Sequence, residues 1–166
     1  MTTKYYVEKL TLQNLKHFVR QSFESSSDEL TRYFCEYLSQ DIKRNLTHCF
    51  VLLEKETNHI IGFYTLSASS IPHTNLPETL RKKLPKYQIP AAKIGRLAVN
   101  TPYLKQGFGN VLMADAIMRI QQSDIGINVI VVDAKNETAK QFYLQYGFQT
   151  FLDEPLHLFL PIAPLK

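Results

Sequence analysis

The sequence has little of what a metalloprotein, a secreted protein or a membrane protein needs. It contains two cysteines, Cys35 and Cys49, which fall in a predicted helix and a predicted strand and lack the spacing of metal ligands. We interpret them as buried free thiols. No apolar run approaches the length of a membrane span, and residues 1–6 contain no apolar core of a signal peptide. We therefore expect a cytoplasmic protein that binds neither a metal nor a membrane.

The length and the composition are those of an ordinary globular protein. The chain has 166 residues, of which 45% are hydrophobic and 20% are charged, so we expect a single domain spanning residues 1–166. The 19 Lys and Arg residues exceed the 15 Asp and Glu residues and give a formal net charge of +4. Five cations crowd a proline-broken segment over residues 70–93, which predicts a long structured loop. Its charge indicates either a phosphate-rich partner or simply a solvated surface.

Apolar periodicity predicts an α+β fold with a mixed sheet. Strands are expected at residues 5–9, 49–54, 60–67, 93–99 and 127–134, and near 148–152 and 156–161. Helical spacing predicts a first helix over residues 12–23, a second that is capped by Ser27 or Asp28, and two more at residues 107–122 and 136–146.

A glycine-containing turn between a predicted strand and a predicted helix is the most informative feature. The strand ends at residues 97–99, and a loop with Gly107 and Gly109 leads into an apolar-periodic helix. The N–H groups and the dipole of a helix N-terminus attract an anion, and glycines allow a phosphate to approach the backbone. No Lys-Ser or Lys-Thr pair follows, which excludes a P-loop, and Leu112 stands where a dinucleotide fingerprint has its third glycine. The pattern predicts a phosphate or pyrophosphate ligand, unless the turn is a plain connection.

This loop and two other segments resemble motifs of the GNAT acyltransferase family. Residues 104–109 are similar to the [RQ]-x-x-G-x-[GA] loop that holds the pyrophosphate of acetyl-CoA, although Leu104 replaces Gln or Arg. Residues 94–99 and 129–134 resemble the family's fourth and fifth strands, and residues 136–148 carry its N-x-x-A-x-x-F-Y-x-x-x-G-F signature. The resemblance implies the GNAT fold, a mixed and mostly antiparallel sheet with helices on both faces, in which splayed strands four and five admit acetyl-CoA.

The same resemblance implies which residues bind acetyl-CoA. The backbone of the fourth strand would pair with pantetheine, and the loop would hold the pyrophosphate. Asn136 would contact pantetheine, cap the last helix, or do both. The predicted cofactor-binding residues are Leu97, Ala98, Val99, Leu104, Lys105, Gln106, Gly107, Phe108, Gly109, Asn110 and Asn136.

Tyr143 is the predicted general acid. The resemblance places this tyrosine near the sulfur of acetyl-CoA, where a phenol can protonate the departing thiolate; the alternative is that its ring only packs on an amphipathic helix. No pattern marks a general base, and five residues qualify by type alone: Glu54, Glu56, Glu78, His73 and His157. A site without a base suits an α-amine, whose pKa is about 8, better than a lysine with a pKa of about 10.4.

A narrower resemblance is to the toxin branch of the GNAT proteins. It is carried by residues 61–68, the basic segment, residues 95–99 and 132–135, and residues 158–161. It implies acetylation of the amino acid on charged tRNA, a ribbon-helix-helix antitoxin with which the protein binds operator DNA, and a possible homodimer. The residues that would contact tRNA are Arg81, Lys82, Lys83, Lys86, Lys93 and Arg96.

Two other functions remain open from the sequence. The first is a GNAT enzyme that acetylates a small amine or a protein N-terminus, with a basic segment that is merely solvated. The second is a non-catalytic module that binds acyl-CoA or docks an antitoxin, which the departure at Leu104 favours.

Overall fold

The computed structural model describes residues 4–152 and 154–162. The strands are β1 (Tyr5–Leu10), β2 (His48–Glu54), β3 (Ile60–Ile71), β4 (Ile89–Val99), β5 (Val129–Asp133), β6 (Gln149–Phe151) and β7 (Glu154–Pro161). The α-helices are α1 (Asp28–Arg32), α2 (Leu38–Lys43), α3 (Glu78–Arg81), α4 (Phe108–Gln121) and α5 (Glu137–Leu144). A π-helical turn, Tyr33–Tyr37, joins α1 to α2, and 3₁₀ turns occupy Leu15–His17, His73–Asn75 and Thr101–Tyr103.

The strands form a mixed sheet in the order β1-β2-β3-β4-β5-β7-β6. The pairs β1–β2, β2–β3, β5–β7 and β6–β7 are antiparallel, whereas β4 and β5 are parallel. The β4–β5 register runs from Ala91↔Val129 to Ile94↔Val132, and β4 continues beyond it to Val99. The mixed, mostly antiparallel sheet expected from the sequence is confirmed.

The chain divides into two compact units, each assembled from two separate stretches. The first unit contains the residues up to Ser67 together with Arg96–Ile117, and the second contains Ala68–Gly95 together with the residues from Met118 onward. The single domain over residues 1–166 therefore stays a prediction.

An aromatic cluster fills the core of the first unit. The rings of Phe34 and Phe63 stack with their centroids 4.3 Å apart, and the ring of Phe23 lies 4.7 Å from that of Phe34. All three side chains are fully buried or nearly so. Truncating such a side chain to alanine typically costs about 3–5 kcal/mol, so this cluster is a main source of the unit's stability.

Gly62 brings three elements of the first unit into close contact. A Cβ atom at this position would lie 2.7 Å from the carbonyl oxygen of Ala98 in β4 and 2.9 Å from Cδ1 of Leu112 in α4. Both distances are shorter than real Cβ contacts, so a glycine is required for β3, β4 and α4 to pack as they do. Gly62 thus helps to set the position of α4, whose N-terminus follows the predicted phosphate loop.

The second unit has its own core, on which the proline-broken basic segment lies. Its buried residues are Ile71, Leu76, Ile89, Ala91, Val129, Val131, Phe151 and Phe159, and Leu80 and Leu84 pack against them. The segment between β3 and β4 is therefore held to the sheet by its leucines, and it contains a 3₁₀ turn and α3. The structured loop predicted from the sequence is confirmed.

The first predicted helix is wrong. Within residues 12–23 the helical structure is the 3₁₀ turn Leu15–His17. The Asn14 side chain forms hydrogen bonds with nearby backbone groups. Its Oδ1 accepts a hydrogen bond from the Thr11 N–H at 2.7 Å, and its Nδ2 donates to the Lys9 carbonyl at 3.0 Å. Such bonds offer the backbone an alternative to a helix. Val19, one of the apolar residues whose helical spacing gave that prediction, is 71% exposed.

The second predicted helix begins as expected at Ser27. The Ser27 Oγ accepts a hydrogen bond from the Leu30 N–H at 3.3 Å, so Ser27 is the N-cap. The helix then passes through the π-helical turn, where Cys35 is half-buried; Cys49 lies fully buried in β2. Both thiols are free. Among the described residues no helix combines the length and the apolarity needed to cross a membrane.

Candidate active site

The predicted phosphate loop adopts two backbone conformations that most residues avoid. Lys105 has φ of 60° and Gly107 has φ of 83°. Directly after them α4 begins at Phe108, and the Gly107 carbonyl accepts a hydrogen bond from the Val111 N–H at 3.3 Å. Left-handed residues before a helix turn successive N–H groups toward one point, and this forms a concave site for an anion. The first turn of α4 contains no acidic residue, so its positive dipole end is not neutralised there.

Space in front of the loop is open. A Cβ built on Gly107 would have no atom within 4 Å outside its two chain neighbours. The side chain of Leu104, which replaces the family's Gln or Arg, is 40% exposed. The loop therefore offers backbone donors and open space at Gly107, and the assignment of residues 104–110 to a pyrophosphate stays a prediction.

The loop is anchored by Asn100, a residue that the sequence analysis did not single out. Asn100 is 8% exposed; its Nδ2 donates to the Ile60 carbonyl at 2.9 Å, and its Oδ1 accepts from the Glu24 N–H at 3.1 Å. Its own N–H donates to the Ile61 carbonyl at 2.7 Å. These bonds fix the end of β4. A polar residue directly after the apolar Leu97-Ala98-Val99 run was the signal for it.

Aromatic rings hold the two ends of the loop within the first unit. The Tyr103 hydroxyl donates to Glu54 Oε2 at 3.0 Å, and its ring meets that of Phe108 edge to face at 6.1 Å. Tyr5 meets Phe108 from β1 at 5.6 Å. Phe108 therefore anchors the first turn of α4 through its ring.

Tyr143, the predicted general acid, is a buried phenol on α5 in the second unit. It is 8% exposed, and its ring meets those of Phe142 and Phe148 edge to face at 5.4 Å and 5.6 Å. Burial, and then the negative charge of Asp133, raise the pKa of Tyr143 to about 12. The hydroxyl therefore keeps its proton at neutral pH, as a general acid must, and its catalytic role stays a prediction.

Asn136 caps the helix that carries Tyr143. Its Oδ1 accepts a hydrogen bond from the Ala139 N–H at 2.9 Å, and its backbone is extended, as at other N-caps. The cap does not use the two amide hydrogens of Nδ2. The capping interpretation is confirmed, and the contact with pantetheine stays a prediction.

The five candidate bases divide into structural and exposed groups. Glu54 accepts the hydrogen bond from Tyr103, and Glu78 pairs with Lys82 Nζ at 3.5 Å, with both side chains mostly exposed. His73 Nε2 lies 2.9 Å from the Arg81 carbonyl oxygen and thus ties the 3₁₀ turn to α3. Glu56 lies in the exposed turn between β2 and β3. His157 has a different environment.

A charged cluster at the end of β5 joins three strands of the second unit. Asp133 Oδ2 lies 2.8 Å from Lys93 Nζ on β4, and Asp133 Oδ1 contacts His157 Nδ1 on β7. Burial alone would raise the pKa of Asp133, but the hydrogen bonds from Lys93 and His157 outweigh it and hold the pKa below its usual value. Asp133 was not among the predicted site residues. Its position after the apolar Val129–Val132 run was the signal in the sequence, whereas its pairing with His157 was not visible there.

The cations predicted to contact tRNA occupy three environments. Lys82, Lys83 and Lys86 are exposed, and Arg81 is half-buried at the end of α3. Lys93 is engaged by Asp133. In the first unit, the guanidinium carbon of Arg96 lies 3.6 Å from the centre of the Tyr33 ring, and the Tyr33 hydroxyl donates to Asp41 Oδ2 at 2.7 Å. Their role in tRNA binding stays a prediction. In the described part of the chain no group of three or more His, Cys, Asp or Glu residues could hold a metal ion.

Comparison with known proteins agrees with these features. The family model described as Acetyltransferase (GNAT) domain matches residues 15–157. A relative from Mycobacterium tuberculosis named tRNA-acetylating toxin is 32% identical over 141 residues, which cover 84% of this chain and 83% of the relative. A crystal structure of a mutant of KacT superposes with a TM-score of 0.88 at 28% identity and covers 96% of this chain and 95% of that one. AtaT complexed with acetyl-methionyl-tRNAfMet gives a TM-score of 0.87 at 26% identity, with 95% and 94% covered. The match over most of its length shows that the chain belongs to the GNAT acetyltransferase family and has the GNAT fold.

Proposed function

We propose that this acetyltransferase moves the acetyl group of acetyl-CoA to the α-amine of the amino acid on charged tRNA, and so acts as a toxin that blocks translation. The relative from Mycobacterium tuberculosis is named for acetylating tRNA, and AtaT has been solved with an acetylated aminoacyl-tRNA. Charged tRNA is used in the cytoplasm, so we expect the protein to act there.

The loop before α4 is the observation that carries the proposal. Lys105 and Gly107 both have positive φ, the first turn of α4 lacks acidic side chains, and the space at Gly107 is open. Donors in that arrangement suit a pyrophosphate, and acetyl-CoA contains one. Residues 104–110 would hold this group through their backbone, which explains why Leu104 can replace a polar residue.

The backbone of Leu97, Ala98 and Val99 would bind pantetheine, together with Asn136. Bound acetyl-CoA supplies an acetyl group that is activated as a thioester, and the thiol of CoA is the leaving group. Tyr143, which stays protonated at neutral pH, would donate its hydrogen to the sulfur.

The exposed cations of the basic segment suit a polyanionic acceptor. Lys82, Lys83 and Lys86 lie within five positions of one another and extend from a segment that leucines fix to the sheet. Charges on a fixed segment can contact a phosphate backbone at a small entropic cost. Arg81, Lys93 and Arg96 would complete the contact.

The toxin function implies a protein partner. We expect a ribbon-helix-helix antitoxin that inhibits the enzyme and carries it to operator DNA, and a homodimer is a possible assembly. A small ribbon-helix-helix gene next to the gene for this chain would support the proposal.

The direct test is acetylation of purified charged tRNA. The protein is incubated with acetyl-CoA and methionyl-tRNA, and the aminoacyl nucleoside is examined by mass spectrometry after nuclease digestion. We expect acetyl on the α-amine and none on uncharged tRNA. Faster acetylation of a polyamine or a peptide N-terminus than of charged tRNA would favour the small-amine enzyme. Binding of acetyl-CoA without transfer to any of these acceptors would favour the non-catalytic module.

A further inference from the structure

The contact between Asp133 and His157 fixes the orientation of an imidazole ring. Asp133 and His157 are paired residues of β5 and β7, so the backbone register sets their separation. The ring of Phe151 stacks on that of His157 at 4.6 Å with an angle of 28° between the planes. A ring that is held at its edge by a carboxylate and on its face by an aromatic ring has little freedom to turn.

The same contact fixes the tautomer of His157. When Asp133 is ionised it has no hydrogen to donate and can only accept a hydrogen bond. Lys93 helps to keep it ionised. The neutral imidazole therefore carries its hydrogen on Nδ1, which leaves a lone pair on Nε2. With 27% of its side chain exposed, His157 can be reached by a substrate.

The charged cluster also interacts electrostatically with the predicted general acid. The charge of Asp133 contributes to the raised pKa of Tyr143, so the two groups interact across the second unit. Packing links them as well, because Tyr143 contacts Phe148, which directly precedes the strand that ends in Phe151. Asp133 on β5 is the charged group that contacts His157 and that acts on Tyr143, and Lys93 on β4 pairs with Asp133.

We propose that His157 is the general base of the acetyl transfer and that Asp133 is the positioning residue that orients it, an inference that rests on the proposed function. The amine nitrogen attacks the acyl carbon and a C–N bond forms, after which the nitrogen carries a proton that it must lose. Nε2 of His157 takes this proton. The C–S bond breaks with its electron pair remaining on sulfur, and Tyr143 donates a proton there. The proton on His157 returns through solvent to the Tyr143 oxygen, so that the products are the amide and the free thiol.

The test compares two histidines of the same unit. His157→Ala should slow a single turnover of acetyl transfer by about 10²–10⁴-fold, the usual contribution of a general base. Added imidazole should restore part of the rate, because it can occupy the space beside Phe151. His73→Ala is the matched control, since His73 binds a backbone carbonyl, and imidazole should have no effect on its rate. A His157→Ala enzyme within a few-fold of wild type, or one that imidazole does not rescue, would overturn the proposal.

A second variant covers the case in which His157→Ala does not fold. His157→Gln can still donate a hydrogen bond to Asp133 but has no basic nitrogen, so it should fold, bind acetyl-CoA and lose the same rate. An active His157→Gln enzyme would refute the proposal. Asp133→Asn should slow wild type but cause little further loss in the His157→Ala background, because it acts through His157. Full additivity would mean that Asp133 does not position the base.

The acceptor is varied to separate this inference from the proposed function. All variants are assayed with methionyl-tRNA and with methionine methyl ester, which has a similar α-amine without RNA. If His157 is required with the ester while charged tRNA is no better a substrate, the base is supported and the tRNA function fails. If charged tRNA is strongly preferred but His157 is not required, the function is supported and the base fails. If neither acceptor is acetylated, both are wrong.

Discussion

Replacing Tyr143 by phenylalanine removes one hydroxyl group from the candidate active site. The ring contacts with Phe142 and Phe148 remain, and the residue is 8% exposed, so we expect the variant to fold and to bind acetyl-CoA as wild type does. What disappears is a proton that stays on the phenol at neutral pH because the pKa of Tyr143 is raised to about 12.

The raised pKa affects whether Tyr143 gives up its proton or only donates a hydrogen bond. A thiol has a pKa of about 8.5, so complete transfer from Tyr143 to a free thiolate would be unfavourable by roughly 5 kcal/mol. The least that the hydroxyl can supply is a hydrogen bond to the developing negative charge on sulfur, which is worth about 1.5–3 kcal/mol, or about 10–150-fold in rate. General acid catalysis is worth about 10²–10⁴-fold. We expect Tyr143→Phe to lose about 10²–10⁴-fold, and a loss of about 10–100-fold would mean that the phenol donates a hydrogen bond without giving up its proton.

The assay is a single turnover with acetyl-CoA and methionyl-tRNA, alongside calorimetry of acetyl-CoA binding. Tyr146→Phe is the matched control: its ring also contacts Phe142, at 5.3 Å, but Tyr146 has no predicted catalytic role, so its rate should stay within a few-fold of wild type. A Tyr143→Phe enzyme that transfers acetyl within a few-fold of wild type would refute the general acid assignment. Equal losses in both variants would show that the hydroxyls matter only for packing.

Three further variants test the loop, the basic segment and the core. Gly107→Val should abolish most acetyl-CoA binding in calorimetry, because its φ of 83° disfavours a branched residue and the added atoms would enter the pyrophosphate space. Replacing Lys82, Lys83 and Lys86 together by Glu should raise the Michaelis constant for charged tRNA and flatten its dependence on salt, by a log–log slope of about 0.7–0.9 for each lost phosphate contact. Gly62→Ala should lower the free energy of unfolding in urea by about 1–3 kcal/mol, since its Cβ would clash with neighbouring backbone.

Each of these variants has a control on the same chain. Leu104→Gln, which restores the family pattern, should leave acetyl-CoA binding equal or better. Glu at the exposed Lys9, Lys16 and Lys43 reverses as much charge away from the basic segment, and it should leave the salt dependence with tRNA unchanged. Gly126→Ala meets no atom within 4 Å and should be nearly neutral. Acetyl-CoA binding by Gly107→Val as tight as that of wild type would contradict the assignment of the loop. Identical salt curves for the two triple variants would contradict the role of the basic segment in tRNA binding. Equal stability of Gly62→Ala and Gly126→Ala would contradict the packing role of Gly62.

Local sequence predicted the elements whose signals are local. The apolar run of β5, the N-cap at Asn136 and the glycine turn before α4 are each readable within a dozen residues, and the structure has them near the expected bounds. The prediction of a helix over residues 12–23 was wrong, because the Asn14 side chain forms hydrogen bonds with the Thr11 N–H and the Lys9 carbonyl and so offers the backbone an alternative to a helix. β4 was expected to begin at residue 93 but starts at Ile89, because Pro90 is accommodated near its first residue, where a proline is tolerated.

The part of the candidate site that the sequence did not reveal depends on strand register. Asp133 and His157 are 24 positions apart and become neighbours when β5 pairs with β7. The anchoring of the loop by Asn100 likewise joins it to Glu24, which is 76 positions away. Neither pairing leaves a mark in composition, periodicity or motif spacing, because it is decided by which strands and loops meet in the folded chain.

The first unit closes its core with residues that arrive late in synthesis. Ala98 and Leu112 pack so closely on Gly62 that no space remains for a Cβ atom there. The first unit includes Arg96–Ile117 as well as the residues up to Ser67. A nascent chain that ends near Ser67 therefore has β1, β2 and most of β3 but lacks the groups that cover Gly62. Its apolar strands therefore stay partly uncovered until Leu112 has been synthesised, and transiently exposed apolar strands favour aggregation. The order of synthesis thus delays completion of the predicted phosphate loop until most of the chain has been made.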